Sequence, residues 1–308
     1  MHYIRHYMIR PCDYDLWQKL EGYGVSCFGL PSNAENSSYL AMGFQLDESI
    51  PKFIEIEPFL PEATPDEYWT ADKSNIYTGD RYTSIRYTPC FSESERQAAR
   101  WLQMRVISLK LKPINDKTLF RKLCVYKKNM HGIDIGHHCV QAEPVTVGRA
   151  IKWGNSQFFS GAYFSGGVFC NNRAKGILEN SALRGFQFGA VLNKQKVSLP
   201  ETFQIHSDCI APDEAFVPVH DMNVERCPLC GKQMLYLSGS KPQYGVRSDV
   251  LDEGIDLYET LPIFGSYTPD HCSKRLIISQ RAYQFLRQQK MARALEFVPL
   301  PICNGNGM

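Results

Sequence analysis

Hydrophobic and polar positions follow the same order in two stretches of this chain, residues 170–192 and 278–300. Each stretch begins with an apolar residue and a small polar one, continues with apolar residues at helical spacing, and ends as an alternating strand. The helical positions are Ala174, Ile177 and Leu178 in the first stretch, and Ala282, Phe285 and Leu286 in the second. The pattern predicts two related helix–strand units from an internal duplication; the alternative is a chance likeness of two ordinary units. Neither stretch contains a nucleophile beside a catalytic base, a phosphate-binding loop or an acid–base pair, so both are interpreted as packing units.

A second alternating pattern lies in the N-terminal part of the chain. In FIEIEPF, residues 53–59, two isoleucines alternate with two glutamates, which predicts a half-buried strand. Carboxylates accumulate around this segment, and an acidic surface of this kind fits a basic partner, with an ordinary solvated face as the alternative. The residues expected to bind a partner are Glu55, Glu57, Glu62, Asp66, Glu67 and Trp69.

Two capping patterns predict helices in the middle of the chain. Ser92, with Glu95 three residues later, forms a capping box for a helix expected to reach Trp101. Asp116 is a second N-cap candidate, and the helix that follows it would bury Cys124 on its apolar face.

Helices and strands alternate without a regular βαβ order, which predicts an α+β fold. We expect two related helix–strand units on mixed sheets, an irregular strand-rich N-terminal region and a possible zinc ribbon. The expected boundaries are a strand-rich region at 1–90, a first α+β unit at 91–205, and a second α+β unit with a CxxC knuckle at 206–308.

Composition narrows the function classes. The 308 residues are 44% apolar, and 34 basic residues nearly balance 32 acidic ones, so no overall charge favours nucleic acid or a membrane surface. The start of the chain lacks the apolar run of a signal peptide, and no apolar stretch reaches the ~18 residues of a membrane span. Eleven scattered cysteines fit a reducing compartment. We therefore expect a cytoplasmic protein that binds neither membranes nor nucleic acid directly.

The CPLCG motif is the sharpest local signal for a ligand. Cys227 and Cys230, followed by a glycine, form the CxxC spacing with which a zinc knuckle directs two thiolates at one ion. His206 and Cys209 have the same spacing upstream and are the expected second pair of ligands for a structural zinc. Other possible donors are His271, Cys272, His137, His138 and Cys139, and the alternative is a pair of ordinary thiols in a turn.

The segment HGIDIGHHC, residues 131–139, offers a different kind of chemistry. A metal-dependent hydrolase or modification-reversing enzyme could use a cluster of this composition, although the cluster lacks the helical spacing of known metal-hydrolase motifs. Its candidate residues are His131, Asp134, His137, His138 and Cys139. This is the alternative to a non-catalytic function.

The repeat and the CxxCG motif together resemble the bacterial immunity proteins of polymorphic toxin systems, in the group that overlaps the double-CxxCG proteins. Those proteins end with a strand, a Ser-led helix, a short link and an aromatic-bearing strand. The matching residues here are Ser279, Ala282, Leu286, Phe297 and Pro299, with CxxCG upstream at Cys227, Cys230 and Gly231. The family's other CxxCG has no counterpart here, where a single cysteine, Cys27, stands in the expected region.

The resemblance implies a non-catalytic protein that binds a cognate toxin and occludes its active site. Such a protein needs a rigid scaffold and one complementary surface rather than a catalytic constellation. The expected partner is therefore a toxin protein.

Overall fold

A computed structural model describes residues 1–10, 14–29, 42–62, 82–107, 109–111, 114, 119–122, 124, 127–128, 134–135, 139–149, 151–161, 164–220, 222–237, 243–247, 249–261, 264–265 and 274–303. Helices and several sheets together make the fold α+β. The chain divides into two compact units, one of Met1–Ser92 and one of Glu93–Ser238 with Pro242–Met308. Residues 93–205, from the first expected α+β unit, and most of residues 206–308, from the second, lie in this second compact unit. No helix in the described ranges is long and apolar enough to cross a membrane.

The first unit is a four-stranded antiparallel sheet packed against short helices. Its elements are β1 (His2–Arg10), α1 (Tyr14–Gly22), β2 (Cys27–Gly29), β3 (Met42–Asp47), α2 (Phe53–Ile56), a 3₁₀ turn (Glu57–Phe59) and β4 (Tyr82–Cys90). The strand order is β2-β3-β1-β4, and Phe44, stacked on Tyr7, lies in the core.

The predicted strand over 53–59 is wrong, because this segment is helical. Phe53 and Ile56 are buried, three residues apart on one face of a helical turn, while Ile54 is 77% exposed. A short apolar pattern fits both the two-residue period of a strand and the 3.6-residue period of a helix. The packing of Phe53 and Ile56 into the core favours the helix here.

The second unit holds the remaining elements. Its helices are α3 (Glu93–Ala98), α4 (Asn172–Glu179) and α5 (Gln280–Gln288), with 3₁₀ turns at Asp213–Ala215 and Ala292–Ala294. Its strands are β5 (Trp101–Val106), β6 (Leu109–Leu111), β7 (Phe120–Lys122), β8 (Lys127–Lys128), β9 (Asp134–Ile135), β10 (Cys139–Gln141), β11 (Phe158–Gly161), β12 (Phe164–Asn171), β13 (Gln187–Leu192), β14 (Ser198–His206), β15 (Ile210–Ala211), β16 (Phe216–His220), β17 (Met222–Arg226), β18 (Gln233–Leu237), β19 (Gln243–Arg247), β20 (Leu257–Thr260), β21 (Phe264–Gly265), β22 (Leu276–Ser279), β23 (Leu295–Pro299) and β24 (Ile302–Cys303).

Two predicted helices in this unit differ from the structure. The helix that begins near Ser92 ends at Ala98, and Trp101 belongs to strand β5, because its side chain packs against Tyr258 in a sheet core. In the segment expected to form a helix from Asp116 to Cys124, Leu119 is helical, but strand β7 begins at the next residue and pairs with β10. Cys124 lies just after that strand.

The two repeated stretches occupy equivalent places in two five-stranded sheets. The first sheet has the order β13-β14-β12-β11-β6 and the second the order β23-β5-β22-β20-β15. The pairing directions also agree: the outer pairs β6/β11 and β15/β20 are parallel, and the other neighbours are antiparallel. The likeness therefore extends beyond the helix–strand stretches to whole sheets.

The repeat extends from β5 to β13 in one half of the unit and from β14 to β23 in the other half. Each five-stranded sheet contains one strand from the opposite half. Strand β5, which precedes the first copy, lies between β22 and β23 of the second copy. Strand β14, which precedes the second copy, lies between β12 and β13 of the first. A buried glutamine stands at the same register position in both strands, Gln103 in β5 and Gln204 in β14. The halves have thus exchanged equivalent strands.

The helix starts confirm the likeness of the copies at atomic detail. The side chain of Asn171 accepts a hydrogen bond from the backbone N–H of Ala174 at 2.8 Å, and Ser279 accepts one from Ala282 at 3.1 Å. These N-caps satisfy backbone donors that a helix leaves free at its start. Ala174 and Ala282 are fully buried, and both belong to one hydrophobic cluster shared by the two copies.

The carboxylate of Asp256 joins the two copies at this shared core. The Asp256 side chain is fully buried and accepts hydrogen bonds from Arg184 N at 2.8 Å, Ser279 Oγ at 2.6 Å and Arg281 Nε at 2.9 Å. Arg184 belongs to the link of the first copy, whereas Ser279 caps the helix of the second. Burial would raise the pKa of Asp256, but the hydrogen bonds from Arg281, Ser279 and Arg184 outweigh it and hold that pKa below its usual range.

The link after Arg184 requires glycine. Gly185 has a φ of +96°, in the left-handed region, and a Cβ at this position would collide with the backbone carbonyl oxygen of Leu257. Glycine therefore allows the first copy to approach the strand that follows Asp256.

Asp256→Asn should lower the free energy of unfolding by about 2–3 kcal/mol at neutral pH, because the charge-assisted hydrogen bonds at both copies are lost together. The folded pKa of Asp256 is depressed, so its contribution is present above the ordinary carboxyl pKa of about 4 and is lost as pH falls below it. The penalty should accordingly shrink towards pH 3. Urea denaturation at several pH values measures both effects. The exposed pair Arg247–Asp249 supplies a control, since Asp249→Asn should change stability little. Equal stability of wild type and Asp256→Asn at pH 7 would contradict the role assigned to this carboxylate.

Candidate metal centre

The CxxCG motif forms the tip of a β-hairpin. Strands β17 and β18 pair up to Arg226 and Gln233, and the residues between them make the turn. The backbone N–H of Gly231 donates to the carbonyl of Cys227 at 2.9 Å, and the N–H of Cys227 donates to the carbonyl of Lys232 at 2.9 Å. Gly231 has a φ of +70°, so the turn uses the left-handed conformation that glycine adopts without strain.

The sulfur of Cys227 lies in an environment that favours its anion. The residue is only 2% exposed, and the backbone N–H of Leu229 donates to its Sγ at 3.4 Å. Burial by itself would raise the pKa of Cys227, but donors from the backbone of Cys230 and Leu229 outweigh burial and lower it. This is the arrangement in which a knuckle supports a metal-bound thiolate.

A third thiol reaches the same place from a distant part of the chain. Cys124 follows strand β7 and is 6% exposed. Burial is the main cause that raises the pKa of Cys124 to about 12, and the neighbouring thiols of Cys230 and Cys227 act in the same direction. The sulfurs of Cys124, Cys227 and Cys230 all lie within 4.8 Å of one another.

The geometry of these three thiols fits a metal ion. An ion bound tetrahedrally by thiolates at about 2.3 Å keeps its sulfurs about 3.8 Å apart. The three sulfurs lie at most 4.8 Å apart, so each pair must approach by about an ångström at most to reach this spacing. Rotation of the side chains can supply that movement. Cys124, Cys227 and Cys230 could therefore hold a metal, with one coordination position left for a further donor.

His206 and Cys209, the second pair expected from the sequence, do not belong to this group of thiols. His206 is the last residue of β14, and its Nε2 would lie 3.3 Å from a Cβ placed on Gly189. Cys209 is half-buried; its N–H donates to Ser207 Oγ at 3.0 Å, and its Sγ lies 3.6 Å from a carboxylate oxygen of Asp208. Within the described residues, the structure supplies Cys124 where the sequence suggested this pair.

The alternative catalytic cluster is only partly within the described residues. Asp134 lies in β9 and Cys139 in β10, where Cys139 pairs with Lys122 of β7. His131, His137 and His138 lie outside the described residues, as do the other possible donors, His271 and Cys272.

The predicted partner-binding residues divide into three kinds. Glu57 forms an ion pair with Arg5 at 2.8 Å, so its charge is used within the first unit. Glu55 and Glu62 are exposed, and their carboxylates make no ion pair or hydrogen bond with another described residue. Asp66, Glu67 and Trp69 lie outside the described residues.

Sequence reasoning found two of the three thiols and missed Cys124. The CxxC spacing is a local signal, but Cys124 has no cysteine or histidine at ligand spacing beside it. The hydrophobic pattern around Cys124 predicted a buried cysteine in a helix. The burial is correct, but the pattern gave no sign that Cys124 could bind a metal. Only the tertiary packing of two separate small sheets brings Cys124 to the knuckle.

No protein-family model and no curated protein matches this chain. The chemistry of the site is therefore argued from its own residues.

Replacing any one of Cys124, Cys227 and Cys230 by serine should abolish stoichiometric metal binding and cost several kcal/mol of stability, because a structural metal contributes its binding energy to folding. Elemental analysis of the reduced protein and denaturation of each variant measure the two effects. Cys209→Ser and His206→Ala are the matched controls and should keep the metal. Loss of metal in these controls, together with its retention in Cys124→Ser, would favour the ligand pair expected from the sequence instead.

Proposed function

We propose that this protein is an immunity protein, which binds a cognate bacterial toxin and blocks its active site or substrate path. The proposal rests on the resemblance of the C-terminal motif and the CxxCG knuckle to immunity proteins of polymorphic toxin systems. The producing cell's cytoplasm is the compartment in which such a protein would act.

One observation carries the proposal: the residues of the C-terminal motif serve the packing of the scaffold rather than a reaction. Ser279 caps a helix, and Ala282, Leu286 and Phe297 lie in the core that the two copies share. The copies build a scaffold through exchanged strands. A rigid scaffold of this kind supports a protein whose task is to present a fixed binding surface.

Zinc is the metal that we assign to the three thiols. Thiolates are soft ligands, and a thiolate-rich tetrahedral set is the usual donor set of structural zinc. The sequence offers His137, His138 and Cys139 as further donors, and the backbone of Cys139 pairs with Lys122, two residues before Cys124. Bound zinc would hold the β17–β18 hairpin to the segment after β7.

The acidic segment of the first unit is the surface that we assign to the toxin. Ile54 projects from α2 with 77% of its surface exposed, and the unpaired carboxylate of Glu55 is adjacent in sequence. Nuclease and nucleic-acid-modifying toxins carry basic clefts, and carboxylates that meet such a cleft speed association as well as bind. Exposed apolar side chains beside them would give the contact its buried centre.

Co-expression with the toxin encoded beside this protein's gene is the direct test. We expect the protein to restore growth and to co-purify with the toxin as a stable complex. The proposal fails if no neighbouring gene encodes a toxin, or if the purified pair does not associate.

Glu55→Lys should slow association with the toxin and flatten its salt dependence, because it reverses a carboxylate with no internal partner. Glu62→Lys should act in the same direction. Glu201→Lys changes the charge equally at an exposed, unpaired residue of β14 in the other unit and is the control. Stopped-flow association at two ionic strengths gives the rates. Equal on-rates for Glu55→Lys and Glu201→Lys would show that the acidic segment is only a solvated face.

A further inference from the structure

A cluster of cationic and hydrogen-bond-donating side chains lies at one end of the second sheet. Arg275 immediately precedes β22, in which Leu276 pairs with Met104 of β5. Continuing this register by one residue places Arg275 opposite Arg105. Like charges directly across a sheet repel each other, so this placement costs stability unless an anion compensates it.

The guanidinium of Arg275 has no counter-ion among the described residues. It makes neither a hydrogen bond nor an ion pair, and it lies 5.6 Å from the centre of the Phe264 ring. The carboxylate of Glu259, on the neighbouring strand β20, is paired with Lys274. Glu296 lies 3.8 Å from Arg105 and can offset only one of the two positive charges.

Burial makes the missing counter-ion costly. It lowers the pKa of Arg275, yet an arginine stays protonated across the working range of pH. Burial also raises the pKa of Tyr244 to about 12, so the phenol remains a neutral donor. Arg275 nevertheless keeps part of its surface open to solvent, so a small anion can reach it.

In the first sheet, the glutamine at the equivalent register position is Gln204, and its side-chain amide has hydrogen-bond partners. Gln204 and Gln141 exchange two hydrogen bonds, at 2.9 Å and 2.8 Å, so each amide both donates and accepts. Gln103, at the same register position in β5, accepts from the Tyr244 hydroxyl at 2.8 Å, but its amide N–H groups have no partner in the described part of the chain. In the second sheet both N–H groups of Gln103 thus lack a described acceptor, whereas in the first sheet the amides of Gln204 and Gln141 each donate to a described partner.

We propose that this cluster of donors is a binding site for an oxyanion, the phosphate or carboxylate group of a small molecule. Arg275 presents the planar fork that binds such a group through two parallel hydrogen bonds. Gln103 supplies a further donor, Arg105 adds positive charge, and the rings of Phe264 and Tyr244, 4.5 Å apart, form an aromatic wall. The site is independent of toxin binding and goes beyond the proposed function.

Calorimetric titration of the whole protein with inorganic phosphate and with acetate, at constant ionic strength set by chloride, tests the site. We expect saturable binding of at least one of the two anions, and the comparison distinguishes a phosphate from a carboxylate site. Arg275→Met should weaken that binding by about tenfold or more, since it removes a charge-assisted bidentate contact. Arg275→Lys keeps the charge without the fork and should also weaken it, which covers the case of an unstable methionine variant.

Arg293→Met is the matched control, because Arg293 is an exposed arginine of the same unit with no ion pair. It should leave the titration unchanged. Without added anion, Arg275→Met should unfold at the same or a higher urea concentration than wild type, because it removes an uncompensated charge. Absence of saturable binding by either anion, equal weakening by Arg293→Met, or a destabilised Arg275→Met whose anion binding equals that of wild type would each overturn the proposal.

Discussion

The two five-stranded sheets of the larger unit exchange a strand. Strand β5, which precedes the first copy, lies in the sheet of the second copy, and β14, which precedes the second copy, lies in the sheet of the first. This exchange is the constraint on which the larger unit depends, because neither sheet is continuous without the other half. The buried carboxylate of Asp256 adds a polar connection at the same junction, between the link of one copy and the helix cap of the other. Separation of the halves would therefore break sheet pairing and leave a buried charge unpaired.

A metal bound to Cys124, Cys227 and Cys230 would connect parts of this unit that the exchanged sheets do not join. The knuckle lies at the tip of a hairpin, and Cys124 follows a strand of a separate two-stranded sheet. Small sheets of two or three strands bury little apolar surface and gain stability from such a cross-link. The hydrophobic core and the thiol group thus act on different parts of the fold.

The two copies have diverged where they no longer need to be alike. Both keep an N-cap, a buried alanine and a buried glutamine, which are required by helix geometry and by the shared core. Around the glutamines the copies differ: Gln204 is satisfied by Gln141, whereas Gln103 lies beside Tyr244 and two arginines. A repeated scaffold permits this, because one sheet can change its hydrogen bonding while its counterpart keeps a satisfied pair of amides.

The sequence by itself determined the α+β class, the repeated helix–strand copies with their caps, and the thiol pair at Cys227 and Cys230, because all of these depend on contacts between residues close in the chain. It misassigned residues 53–59, since a short apolar pattern fits a strand and a helical turn equally well and burial of Phe53 and Ile56 decides between them. The exchange of β5 and β14, the arrival of Cys124 and the opposition of Arg275 and Arg105 were decided by tertiary structure alone. The first and last of these depend on the register of strands distant in the sequence, and the second on the packing of separate sheets, which no local pattern of residues specifies.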